Sequence, residues 1–203
     1  PSSLPEVTLP IDDALFASCK EILAKYDPQY DANAMPANLE EAKSDLTKMA
    51  AMLASIERAQ QAIETEAAAL TGGQSVSDAC AALDAQILTL TVQVQQKDNE
   101  IVQLEQQLDT AAPEEQDAIR AEIESKKAEQ AALQTQLDTA TSQRAALDDY
   151  KSDESTLSTT QTALRNATVL LKARQEAEAS LNESTEELRQ TLQQTITTLN
   201  TQI

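Results

Sequence analysis

Histidine and tryptophan are absent from this 203-residue chain, which holds one phenylalanine, three tyrosines, two glycines and two cysteines. Without histidine there is no Ser-His-Asp or Cys-His nucleophile system and no imidazole metal site. The two glycines are adjacent, at Gly72-Gly73, so no Gly-rich phosphate loop can form. An aromatic content of 2% argues against a thick globular core and leaves an acid/base carboxylate pair without an aromatic-lined cleft. Cys19 and Cys80 are too few for a disulfide framework or a zinc site. A single bridge between them is conceivable, but each falls on an apolar stripe, where a small core residue is the favoured reading, and they do not decide the compartment. Asp148, Asp149, Asp153 and Glu154 lack the spacing and the glycine of an EF-hand and read as a solvated loop.

Long apolar runs are missing too: no stretch of 18 apolar residues exists, so no transmembrane helix is encoded. The chain begins at Pro1 without a signal-peptide pattern, which points to a piece of something longer. Cationic residues are scarce, 15 against 34 acidic ones, for a net charge of -19. Such a surface repels phosphate backbones and anionic headgroups. The expected partners are therefore proteins, through self-assembly or a helical partner, with no nucleic acid and with membranes only through segments outside this chain. No enzyme activity, cofactor or metal is expected.

What the chain has is Ala, Leu, Gln, Glu and Thr in a heptad rhythm. Leu83, Ile87, Leu90, Val94, Lys97, Ile101, Leu104 and Leu108 recur at alternating steps of four and three. After Ala112-Pro113, Ile119, Ile123, Lys126, Gln130, Leu133, Leu137, Ala140 and Arg144 do the same. The arms mirror each other: Leu108 with Ile119, Leu104 with Ile123, Val94 with Leu133 and Leu90 with Leu137 have residue numbers summing to 227. A constant sum is the signature of an antiparallel coiled coil. Pro113 suits a first helical position, with Glu114 and Glu115 in the first turn.

A second mirror surrounds Thr71-Gly72-Gly73. A helix starting at Asn38, which forms a capping-box-like pair with Glu41, carries Leu39, Ala42, Leu46, Met49, Leu53, Ile56, Gln60, Ile63, Ala67 and Leu70. Leu70 with Cys80, Ile63 with Ile87, Ile56 with Val94 and Met49 with Ile101 sum to 150. Two hairpins sharing one helix imply a bundle of at least three helices over residues 38–155. Before it, residues 1–37 read as an extended Pro-bounded segment, a short helix and a loop. The helix has a stripe of Leu15, Cys19, Ile22 and Tyr26, with Asp12 and Asp13 at its start and Asp27-Pro28 at its end.

No Pro or Gly occurs from Glu114 to Ile203. One reading is a single helix of about 90 residues; the other, which is favoured, breaks near residues 148–155, with a new cap at Ser152 or Ser155. The last stretch, residues 156–203, then folds back and overruns the bundle, its Leu181, Leu188, Leu192 and Leu199 covered by the short N-terminal helix. Its seam is weakened by Gln161, Thr168, Gln175, Glu178 and Thr185. Lys97 and Lys126 interrupt the main seam. Lys97 mirrors Gln130, and the three are candidates for fixing register or partner number. The plainer reading, and the favoured one, packs their stems and sends the ammonium groups to water. Asn166 and Asn182 match the glycosylation acceptor pattern, but mid-helix they read as chance matches.

The segment Ile101-Val-Gln-Leu-Glu-Gln-Gln-Leu-Asp-Thr-Ala-Ala-Pro-Glu-Glu-Gln-Asp-Ala-Ile119 resembles the coiled-coil hairpin of type III secretion translocator proteins of the invasin class. The likeness covers about a third of the chain, and any antiparallel hairpin would use the same elements. The family's membrane-inserting helices are not in this sequence. The resemblance implies an excised soluble region, secreted or at the cell surface, serving assembly and translocation. Taken together, the chain reads as all-α, an elongated antiparallel coiled coil or up-down helical bundle with long helices. Its leading function is a non-enzymatic spacer or assembly module. The alternative is the soluble coiled-coil region of a secreted membrane-acting protein, a type III translocator or a helical pore-forming toxin.

Overall fold

The computed structural model describes residues 4–202. Their regular structure is helical throughout: α1 Asp13–Tyr26, a 3-10 turn Ala32–Ala34, α2 Leu39–Ser44, α3 Leu46–Thr71, α4 Val76–Thr110 and α5 Pro113–Thr201. The all-α expectation with long helices is met. The chain divides into two compact units, Pro1–Ala62 with Glu154–Ile203, and Ile63–Asp153. Both α3 and α5 contribute to each unit.

The unit Ile63–Asp153 holds the hairpin. Every seam residue named above from Leu83 to Leu108 and from Ile119 to Arg144 is buried or half-buried, while nearly all others between them are exposed. Ile101, Leu104 and Ile123 form one cluster with Leu108 and Ile119 beside it. Ala79, Cys80 and Leu147 form another, flanked by Val76, Leu83 and Tyr150. Cys80 and Leu147 keep the same sum of 227, so one register runs the length of the hairpin. Pro113 opens α5 with Glu114 and Glu115 in its first turn. Its missing N–H costs nothing at that position.

The mirror around the glycines is realised near the turn. Gly72 and Gly73 take φ of 68° and 87°, the left-handed region, and Gly73 N–H donates to Ala68 O at 2.9 Å, closing α3 in a Schellman-type turn. Ser75 caps α4 by accepting from Asp78 N–H. Here three helices meet: Leu70, Ala79, Leu83 and Leu147 line one crevice, and Tyr150 Oη donates to Glu66 at 3.1 Å. Further along, α4 and α5 bury one seam each, the pattern of a two-stranded coiled coil. There Ile101 packs with Leu104 and Ile123.

In the unit of Pro1–Ala62 and Glu154–Ile203, α3 is paired with α5. Gln60 and Gln161 exchange amide hydrogen bonds at 3.1 and 3.3 Å, Arg165 reaches Glu57 at 3.3 Å, and Thr168 Oγ1, which donates to Leu164 O, touches Met49 Sδ at 2.8 Å. The partner that the heptads of α3 suggested was α4; in this unit it is residues 157–171 of α5. These α5 residues bury Leu157, Thr160, Ala163, Leu164, Ala167 and Leu171. On α3 the buried set is wider than the expected seam, adding Met52, Ser55 and Ala59 to Met49 and Ile56. Two packed faces explain the width, because α1 covers the second one. Phe16, Cys19, Leu23 and Tyr26 of α1 are buried.

The single long first helix is interrupted. Asp45 ends α2, and its carboxylate accepts from Lys48 N–H at 3.1 Å, so it also caps α3. Short polar side chains that bond their own backbone favour such breaks. The expected capping box is present in shifted form: Asn38 Oδ1 accepts from Glu41 N–H, and Glu41 accepts from Ala37 N–H.

The break expected near residues 148–155 does not occur, because α5 is one helix of 89 residues. What changes there is the rhythm. Among the half-buried and buried positions, which also include Ala146 and Thr156, Arg144, Leu147, Tyr150, Asp153 and Leu157 follow in steps of three, three, three and four. A run of threes walks the seam around the helix surface, as in a stammer, and it spans the boundary between units.

Candidate interaction surface

Three sets of residues stand out from the packed seams, two polar and one apolar, and each is held differently. In the hairpin, Lys97 Nζ lies 2.6 Å from Glu129 and 3.5 Å from Glu100, and Lys126 Nζ lies 3.2 Å from Glu100. Side chains of Lys97 and Lys126 retain 24% and 27% of their exposure, so stems pack while the charges pair at the rim. The Lys126 ammonium holds Glu100 below the usual carboxylate range, and Lys97 does the same for Glu129. Gln130 Nε2 donates to Val94 O at 3.2 Å, crossing to the other arm. Lys97 and Gln130 face each other in one layer, Lys126 sits in the adjacent layer level with Ile101, and the two lysines share Glu100.

The second set is Asp27, read from sequence only as a helix stop. Its carboxylate is the end point of four hydrogen bonds: Ser55 Oγ at 2.6 Å, Arg58 Nε at 2.8 Å, Arg58 Nη2 at 3.0 Å and Gln29 N–H at 2.9 Å. Its side chain is fully covered. Burial opposes the charge, but the hydrogen bonds from Arg58, Ser55 and Gln29 outweigh it and hold the carboxyl below its ordinary value. The bidentate guanidinium fork ties the end of α1 to α3. Burial also pushes the Cys19 thiol up to about 11, with the Thr160 hydroxyl offsetting part of the effect. That keeps it protonated and inert.

The third set is the end of α5. The seam buried at Leu157, Thr160, Leu164, Ala167 and Leu171 continues through half-buried Arg174 and Glu178 in steps of three and four. In phase with it follow Leu181, Thr185, Leu188, Leu192, Thr195 and Leu199. Among the described residues, none after Glu178 is even half-buried. Leu181, Leu188, Leu192, Ile196 and Leu199 are 51%, 71%, 61%, 50% and 55% exposed. The stripe of α1 that was expected to cover them faces elsewhere in the unit, with Cys19 beside Thr160. Intrachain cover ends where the extended segment Leu4–Thr8 lies along Leu170 and Arg174, and Val7 is buried there.

The polar members of this uncovered stripe are already satisfied. Thr185 Oγ1 donates to Leu181 O and Thr195 Oγ1 to Thr191 O, both at 2.9 Å. With their hydroxyls bonded back to the preceding turn, these threonines can offer methyl groups to a partner. Arg189 is paired with Glu186 at 2.6 Å, and no charged residue follows it to the end of the sequence. Among the described residues no helix is long and apolar enough to cross a membrane, and no cluster of three metal-ligating side chains exists. No protein-family model, curated protein or solved structure matches the chain.

Proposed function

We propose that this chain is a non-enzymatic assembly module that docks a helical protein partner on the uncovered seam of α5. One observation carries the reading: the heptad rhythm covered at Leu157–Leu171 continues without change of phase into Leu181–Leu199, where none of the described residues covers it. A soluble helix seldom maintains an apolar stripe over several turns unless something packs on it. Each half-exposed aliphatic side chain on the stripe would gain about 1 kcal/mol on being covered. The α4–α5 hairpin serves as the spacer, its register set by the seam and by the two adjacent polar layers that hold Lys97 with Gln130 and Lys126.

The reading is tested by calorimetric titration of the intact chain with a panel of designed four-heptad amphipathic helices. Binding that is lost in Leu188→Glu and Leu192→Glu is expected. A chain that neither self-associates nor binds any member of the panel would overturn it. A second reading, the soluble coiled-coil region of a type III translocator or a helical pore-forming toxin, is favoured by the hairpin that turns at Ala112-Pro113. It requires apolar segments elsewhere in the full-length protein, and a full-length gene without them would remove it.

A further inference from the structure

We infer that the occupant of the α5 seam is a second copy of the same seam, running antiparallel, with the two-fold axis beside Gln190. This deepens the assembly reading above and rests on it. The stripe is its own mirror image. Leu181 with Leu199, Thr185 with Thr195, and Leu188 with Leu192 all have residue numbers summing to 380. This constant-sum rule describes the hairpin inside the chain, where Leu104 and Ile123 are packed in one cluster. In an antiparallel pair, aliphatic layers meet aliphatic layers and the two threonine layers meet each other, with hydroxyls already bonded to backbone.

Charge selects the direction. All the acid of the stripe lies in its first half, at Glu176, Glu178, Glu183, Glu186 and Glu187, and residues 190–202 carry no charge. Antiparallel pairing places Glu183, Glu186 and Glu187 level with Thr197, Gln194 and Gln193 of the other copy. Glu178, a seam position, falls level with Gln202, which can donate to it. Parallel pairing would bring Glu178 against its own copy within the seam, a like-charge contact. The seam is continuous with the interface buried at Leu157–Leu171, so no new packing chemistry is needed.

The test uses two full-length variants, Leu181→Cys labelled with 15N and Leu199→Cys unlabelled, treated with a short thiol cross-linker and read by mass. The buried native Cys19 and Cys80 are controlled by the parent chain. The mixed product should dominate over either self-linked product, and adding Leu188→Glu to both should abolish it while leaving helix content unchanged. A dominant Leu181→Cys self-link overturns the antiparallel assignment. No linking, with a monomeric mass at micromolar concentration, overturns self-pairing. If such a chain still binds the designed helices, the assembly reading survives; if it binds none, both fall. Flotation with phosphatidylcholine vesicles in the absence of linking overturns the proposal in favour of a lipid surface.

Discussion

Two stretches of α5 share one rhythm and differ in what covers them. At Leu157, Leu164 and Leu171 the seam lies against α3 and the N-terminal segment, with 0%, 0% and 7% exposure. At Leu181, Leu188 and Leu192 the same face is 51–71% exposed. In the covered stretch Gln161 is answered by Gln60 on α3, while Thr168 bonds back to Leu164 O. The uncovered stretch answers its own, through threonine hydroxyls bonded to backbone and Arg189 bonded to Glu186. Apolar periodicity thus says that a helix face will be covered, but not by what.

The largest contrast is expected from matched truncations. Leu164→Ala should cost about 2–5 kcal/mol, because it opens a cavity in a packed seam. In dilute solution Leu188→Ala should stay within about 0.5 kcal/mol of the parent. Urea unfolding midpoints measure both, and equal losses would erase the distinction between the stretches.

Next comes Asp27→Asn, expected to cost about 2–3 kcal/mol, since Arg58 loses its buried partner while itself staying partly solvated. The folded carboxyl sits below its unfolded value. Its stabilising contribution is therefore present above the unfolded value of about 4 and is lost as pH falls through the folded value. The parent should lose stability on acidification in that window, and the variant should show a shallower decline. An unchanged acid profile would remove Asp27 as the clamp between α1 and α3. Gly72→Ala should cost about 1–2 kcal/mol, because its φ of 68° strains any residue with a Cβ. The smallest effect is expected at Lys126→Leu. It should raise the melting temperature slightly and weaken its dependence on salt, since an apolar residue replaces a charge paired at the rim. A drop would mean that the pair with Glu100 stabilises more than apolar packing would.

Where a segment's partner was close in sequence, the fold was legible. The α4–α5 register could be read because a mirror about one proline leaves a single pairing, and every seam residue falls where that pairing puts it. The α3–α4 mirror was equally regular as arithmetic, and it holds beside the glycines, while residues 49–60 of α3 are paired with α5. The competing partner, residues 157–171, lies about a hundred residues away, and its seam is diluted by Thr160, Gln161 and Thr168. Polar residues 148–155 looked like a helix end because Asp and Ser commonly cap helices; without Gly or Pro the helix simply continues, and only the buried face shifts. Asp45 shows the reverse case, a lone Asp inside an apolar rhythm that does cap. The Asp27 clamp left one faint signal, Ser55 within the apolar stripe of α3 with Arg58 one turn on. Lys97, Lys126 and Gln130 could be named from seam position alone, but the sharing of Glu100 by the two lysines needed the register.

The most direct measurement is hydrogen exchange along α5 at several protein concentrations. Amides of residues 157–171 should exchange slowly and at rates independent of concentration. Those of residues 181–199 should exchange fast in dilute protein and slow progressively as concentration rises. A tail as protected as residues 157–171 in dilute protein would mean that the chain covers its own seam. A tail that stays fast at every concentration would mean that no second copy does.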